Sequence, residues 1–220
     1  MFAGIRAGIG PVAASAYAGA MSSATAETRV IAAAEAPWAD VRRVFGERGD
    51  PAHCFCQYFK VSAAAWVGQD RPAFERALCT QHAAAGPGPG VLAYLDSEPV
   101  GWCAVEPRAN TPRIIRSRVG SASSEAESPG LWAVTCFVVR VGYRRKGLAA
   151  ALLDGAIAHA RRNGARVLEG YPVDTGGERA SSAELYHGAL STFDAAGFEL
   201  IARPIPGRAL VRLRLERPES

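Results

Sequence analysis

The chain has 220 residues, is 49% hydrophobic and carries a formal net charge of +4. That length suits one domain with an extension, and the apolar fraction is enough for a full core. No apolar run is long enough to span a membrane. The 25 Lys and Arg are scattered, without the aromatic-interleaved basic surface that nucleic-acid binding needs. A modest positive balance suits a polyanionic small molecule instead. Five cysteines, Cys54, Cys56, Cys79, Cys103 and Cys136, are odd in number and make no disulfide framework. His53-Cys54-x-Cys56 lacks a second ligand pair at zinc spacing, so the expectation is free thiols in a reducing cytoplasm and no metal.

Residues 1–27 are rich in Ala, Gly and Ser. Gly4, Gly8, Gly10 and Pro11 break the apolar run that a signal peptide requires. This stretch reads as an extension without a fold, with Met21 open as an alternative start to Met1. Residues 28–220 read as one domain. Thr28–Ala34 suits a first strand. Pro37–Phe45 predicts a short helix with Pro37 at its start and Val41, Val44 and Phe45 inward. His53–Val61 is aromatic and reads as an extended segment or a helix edge. Asp70–Ala85 predicts a helix with Asp70 as its N-cap. Gly86–Gly90 (GPGPG) is a hinge before a hairpin made of Val91–Asp96, a turn at Ser97-Glu98-Pro99, and Val100–Pro107. Pro107–Pro129 is long and polar, with Arg108, Arg113, Arg116 and Arg118. Such a loop is a lid, a binding loop or a disordered segment.

Leu131–Val141 is apolar and β-branched, as in a strand buried on both faces. Gly142 ends it, and from Leu148 the period becomes helical. Leu148, Leu152, Ala156 and Ala160 form one row, with Ala149, Leu153 and Ile157 beside it. Asn163-Gly164 stops the helix. Between strand and helix lie Tyr143, Arg144, Arg145, Lys146 and Gly147. Helix N-termini carry unpaired N–H groups and a positive dipole end, so three cations there are misplaced unless an anion is the guest. A solvated basic turn is the other reading of these residue types. Ala165–Val173 suits the next strand, Ser181–Ala196 a helix closed by Gly197, and Phe198–Ala202 with Ala209–Leu215 a final hairpin. The order of elements predicts a mixed α/β sheet.

Arg144-x-x-Gly147-x-Ala149, preceded by VVRVGY and followed by AAALLDGAIAHARRNGAR, resembles the core motif of the GNAT superfamily of N-acetyltransferases. The resemblance spans roughly residues 90 to 215. It implies an α/β fold with a mostly antiparallel sheet flanked by helices and a splayed central strand pair. It implies acetyl-coenzyme A as co-substrate, its pyrophosphate on Arg144, Arg145, Lys146, Gly147, Leu148 and Ala149. Pantetheine would pair with the strand at Phe137, Val138 and Val139, where a backbone N–H would polarise the thioester carbonyl. The acceptor implied is a small-molecule or peptide amine, and the oligomeric state stays open, a homodimer included. The family commonly places a Tyr just before a Gly-Phe pair as proton donor. Here Gly197-Phe198 is present but Phe193 fills that position. Tyr186 lies two predicted helical turns earlier on the same face and is the candidate acid. Glu169 and Asp174 come before His187 as candidate bases. His159 reads as a partner for its helix's negative end. A catalytically silent coenzyme A-binding regulatory module is the alternative that Phe193 motivates.

Overall fold

The computed structural model describes residues 27–68, 71–176 and 185–215. Residues 1–26, the expected N-cap Asp70 and the expected helix start at Ser181 lie outside them. β1 (Thr28–Ala32) is followed by α1 (Trp38–Phe45), α2 (Asp50–Cys54), α3 (Ala63–Val67) and α4 (Arg71–Ala83). Then come β2 (Gly90–Leu95), β3 (Glu98–Pro107), α5 (Pro112–Ile115) and β4 (Leu131–Val139). The chain continues with α6 (Leu148–Arg162), β5 (Val167–Gly170), α7 (Leu190–Ala195), β6 (Glu199–Ile205) and β7 (Arg208–Arg214).

The strands form one mixed sheet in the order β1-β2-β3-β4-β5-β7-β6, antiparallel throughout except for the parallel pair β4–β5. The β2–β3 turn is tighter than its Pro suggested. Asp96 adopts φ 55° in a two-residue turn, so Glu98 and Pro99 already belong to β3. Between α2 and α3, Phe55 and Cys56 both take left-handed backbone, which lets both bury in succession.

Helices cover both faces. On one, α6 lays Leu148, Leu152, Leu153, Ala156 and Ala160 against Val91, Cys103, Trp132, Val134 and Phe137. On the other, α1, α4 and Phe55 after α2 bury Val41, Phe45, Phe55, Phe74 and Leu78 against Leu92, Trp102, Ala104 and Val138. The parallel pair explains why β4 is apolar on both sides.

β4 does not alternate evenly. Opposite β3 the pairing jumps from Ala104–Cys136 to Val105–Val134, leaving Thr135 as a bulged residue. The bulge reverses the faces: Trp132 and Val134 point to α6 before it, Phe137 and Val139 after it. Pairing of β4 with β5 also ends at Val134–Gly170. The C-terminal half of β4 therefore diverges from β5, and the expected splay is seated on a bend in the strand.

Two expectations are corrected. Residues 107–129 are not one open loop: Arg108 is only 3% exposed, and Ile114 and Val119 pack with Tyr171 and Leu210, while 121–129 is mostly exposed. The expected helix ending at Ala196 is broken as well. A 3-10 turn at Leu185–His187 is separated from α7 by Gly188 at φ 80° and by extended Ala189, which bridges to Val173.

Candidate active site

Among the described residues, the divergence of β4 from β5 leaves a strand edge without a neighbouring strand. The Arg140 N–H donates to the Val100 carbonyl at 2.9 Å, so Arg140 faces β3. In an antiparallel ladder the next inward residue is Val138, and the backbone groups of Phe137 and Val139 face the opposite way. Two contacts confirm that direction. The Val139 carbonyl accepts from Arg144 Nε at 3.3 Å, and the Thr135 carbonyl accepts from His187 Nδ1 at 3.0 Å. Between these two points the backbone edge at Phe137 has no hydrogen-bonding partner among the described residues.

Past this edge the chain turns through Gly142 and Gly147, both at positive φ, into α6. Gly147 is the N-cap, and no side chain caps the helix. The Ala150 and Ala151 N–H groups donate to the Gly147 carbonyl, at 3.1 and 3.2 Å, while the Leu148 and Ala149 N–H groups have no hydrogen bond among the described residues. A Cβ at Gly147 would meet nothing within 4 Å, so space is open in front of them. Arg144, Arg145, Lys146 and Gly147 are exposed, Leu148 is buried beneath, and Ala149 is half-buried. Lys146 and Arg140 both lie over the Tyr143 ring, at 5.4 and 5.3 Å. A cradle of amides, cations and unfilled space fits a pyrophosphate.

The 3-10 turn at 185–187 closes the far side of the gap. Gly188 is required there, because a Cβ would stand 2.9 Å from Phe193 and 3.0 Å from Phe137. His187 is buried and rests against Tyr186 and Phe59, with ring centroids 4.2 and 5.2 Å away. A carbonyl can only accept, so Nδ1 carries the hydrogen and Nε2 presents a lone pair. Nε2 has no hydrogen-bond partner among the described residues. Burial, aided by the nearby Arg208 charge, pushes this imidazole down to about 3, so it is neutral. Tyr186 is partly exposed, and burial raises its hydroxyl above the ordinary value, so it keeps its proton.

The other expected residues fall elsewhere. Phe193 is fully buried, edge-on to Phe137 and Phe198. It belongs to the α6 layer, whereas Tyr186 stacks on Phe59 across the sheet, so the two do not share a helix face. Glu169 is fully buried and takes hydrogen bonds from Ser123, Tyr171 and Arg212, with Arg108 Nε 3.2 Å away. Its lone pairs are spent on the segment after β3, on β7 and on the residue that follows β5. Asp174 pairs with Arg203 at 2.8 Å, and that bond and the Gly176 N–H lower its carboxyl below the usual range. His159 is buried against Trp132, and burial lowers its pKa, so it is no cation for the helix end. Among the described residues no group of three or more His, Cys, Asp or Glu is placed to hold a metal.

Residues 55–187 match the Acetyltransferase (GNAT) family. The chain belongs to the GNAT acetyltransferase family. No curated protein matches its sequence. Among solved structures, yncA from Salmonella typhimurium with its cofactor acetyl-CoA is 13% identical, with a TM-score of 0.50 over 88% of this chain and 96% of that one. A GCN5-related N-acetyltransferase from Kribbella flavida is 17% identical, with a TM-score of 0.49 over 86% and 98%. The paia N-acetyltransferase from Thermoplasma acidophilum, in complex with coenzyme A, is 11% identical, with a TM-score of 0.49 over 86% and 99%. At such identities the likeness to yncA is one of fold. GNAT enzymes use acetyl-CoA as co-substrate, and this GNAT chain brings the uncapped, cation-flanked start of α6 next to the end of β4 that has left β5. Sequence reasoning did not single out Thr135, whose carbonyl accepts from His187 Nδ1.

Proposed function

We propose that this GNAT chain moves an acetyl group from acetyl-CoA to a primary amine by direct transfer, with both substrates bound at once. The observation that carries this reading is the open backbone edge of β4 at Phe137, next to the uncapped start of α6. Acetyl-CoA supplies a thioester whose carbonyl carbon gains a C–N bond and loses its C–S bond, the amine giving up one proton and the thiolate taking one. The first turn of α6, with Arg144, Arg145 and Lys146, holds the pyrophosphate. Val139 and Phe137 align the pantetheine arm, and the Phe137 N–H polarises the carbonyl. Val138 faces the other layer and supports the edge from behind.

His187 takes the proton from the amine. Its low basicity is no obstacle, because an amine nitrogen becomes strongly acidic as it bonds to carbon. Tyr186, protonated and within electrostatic reach of Cys136 on β4, gives a proton to the leaving thiolate. Glu169 and Asp174 hold structure in this scheme. All five cysteines are free thiols, which fits a reducing cytoplasm. Among the described residues no helix is long and apolar enough to cross a membrane.

The second reading, a silent coenzyme A-binding module, rests on Phe193 standing where resembling enzymes carry a Tyr. Release of free thiol from acetyl-CoA in the presence of a panel of primary amines decides between them. Amine-dependent release supports transfer. Tight acetyl-CoA binding with no release above background for any amine supports the silent module.

A further inference from the structure

Arg208 opens β7, and by strand alternation it shares the face that carries Leu210 and Arg212, opposite α6. This is the face of Phe59, Tyr186 and Tyr171. Its neighbours Arg108 and Arg212 are buried and bridged to glutamates. Among the described residues Arg208 has no carboxylate partner. One amino group, Nη2, donates to the Tyr171 carbonyl at 3.0 Å, while Nε is buried with no partner. Half-burying a cation without an anion costs free energy, and a guanidinium tethered by one corner presents its remaining fork to a planar anion.

Its position ties that fork to the chemistry. Arg208 bridges Val173, which bridges Ala189 in turn, next to the 3-10 turn that holds His187 on β4. The charge of Arg208 acts on both His187 and Tyr186. Two strand spacings, roughly 10 Å, separate its backbone from that turn, a distance the Arg side chain largely spans. Tyr58 and Tyr186 are both exposed on this face, each with its ring against Phe59.

We propose that Arg208 is a specificity residue that binds a carboxylate on the acceptor, so that the acceptor is an amino acid-type molecule bearing a primary amine and a carboxylate a few bonds apart. Tyr58 and Tyr186 then contact its apolar side chain. This inference rests on the acetyl-transfer reading above. It separates this acceptor class from polyamines and other purely cationic amines, which Arg208 would repel.

The test is thiol release by the full chain with acetyl-CoA and paired acceptors: phenylalanine against phenethylamine, tyrosine against tyramine, methionine against its decarboxylated amine. The wild type should prefer the amino acid of each pair in kcat/KM. In Arg208→Met that preference should shrink on the order of 10²-fold, through KM for the amino acid. Arg208→Lys should retain part of it, which guards against a variant that merely misfolds. Equal use of both members of each pair by the wild type, or an equal loss on both in Arg208→Met, overturns the proposal. Failure to bind acetyl-CoA in calorimetry, or no release with any amine, would instead sink the transfer reading beneath it.

Discussion

At Gly147 the backbone stands at φ 75° with open space where a Cβ would be. Gly147→Glu would cost about 1 kcal/mol of left-handed strain and put a carboxylate into the space an anion needs. Acetyl-CoA affinity should drop below calorimetric detection while the protein remains folded. Retained affinity would place the phosphates elsewhere. His187 and Tyr186 make a paired prediction. His187→Gln can still donate to the Thr135 carbonyl but has no basic nitrogen, and Tyr186→Phe keeps the ring on Phe59 but has no proton. Each should lower kcat by roughly 10²–10⁴-fold with cofactor affinity kept. A loss below about tenfold for Tyr186→Phe would make it a wall of the acceptor cleft. Because His187 is already neutral well below its ordinary 6.5, wild-type kcat/KM should climb with the acceptor amine's own titration. A limb centred near 6.5 that vanishes in His187→Gln would contradict the burial described.

Glu169 shows how an element can mislead. On β5 it sits in a strand next to the splay, where a base would be useful, yet it faces the segment that returns from β3. It ties Arg108 and Arg212 to β5 while Glu125 and Glu127 hold the same two arginines from outside. Glu169→Gln should therefore destabilise the fold by about 3 kcal/mol in urea unfolding, since it strips a buried partner from two cations. If it instead left stability unchanged and abolished turnover, Glu169 would be the base. The sequence made the β4–turn–α6 unit plain, because the apolar period changes from strand-like to helical at Leu148 and the basic turn lies between. The bulge was not legible. Every residue from Trp132 to Val139 except Thr135 is apolar, so a one-residue shift in facing leaves no trace in the pattern. The packing of the first part of the 107–129 segment was hidden for a related reason. Arginines read as solvated, and the glutamate that buries Arg108 lies 61 positions along the chain. The break at Gly188 was visible as a glycine, but its cause, the approach of Phe137 and Phe193, belongs to tertiary structure.

For the whole molecule, the layers close over two imidazoles that folding keeps neutral. His187 is held down to about 3, mainly by burial and then by Arg208, with the Thr135 carbonyl opposing; His159 is lowered by burial first and then by Arg162. In the unfolded chain both return to about 6.5. Between about 3 and 6.5 the unfolded state thus binds more protons than the native state, and stability rises with pH across that window. Stability should be full above pH 7 and fall on acidification, by up to about 1.4 kcal/mol per pH unit for each fully neutral histidine. Asp174, lowered by Arg203, acts in the same sense but only below the carboxylate range. The measurement is the urea unfolding free energy at pH 7.5, 6.0 and 5.0. The wild type should lose stability progressively between 6.0 and 5.0, and His187→Gln should lose distinctly less, leaving the share due to His159. A flat wild-type curve over that range would mean that His187 takes up a proton in the native state. The 3-10 turn would then open readily, and the gap between β4 and β5 would be a moving part, not a preformed channel.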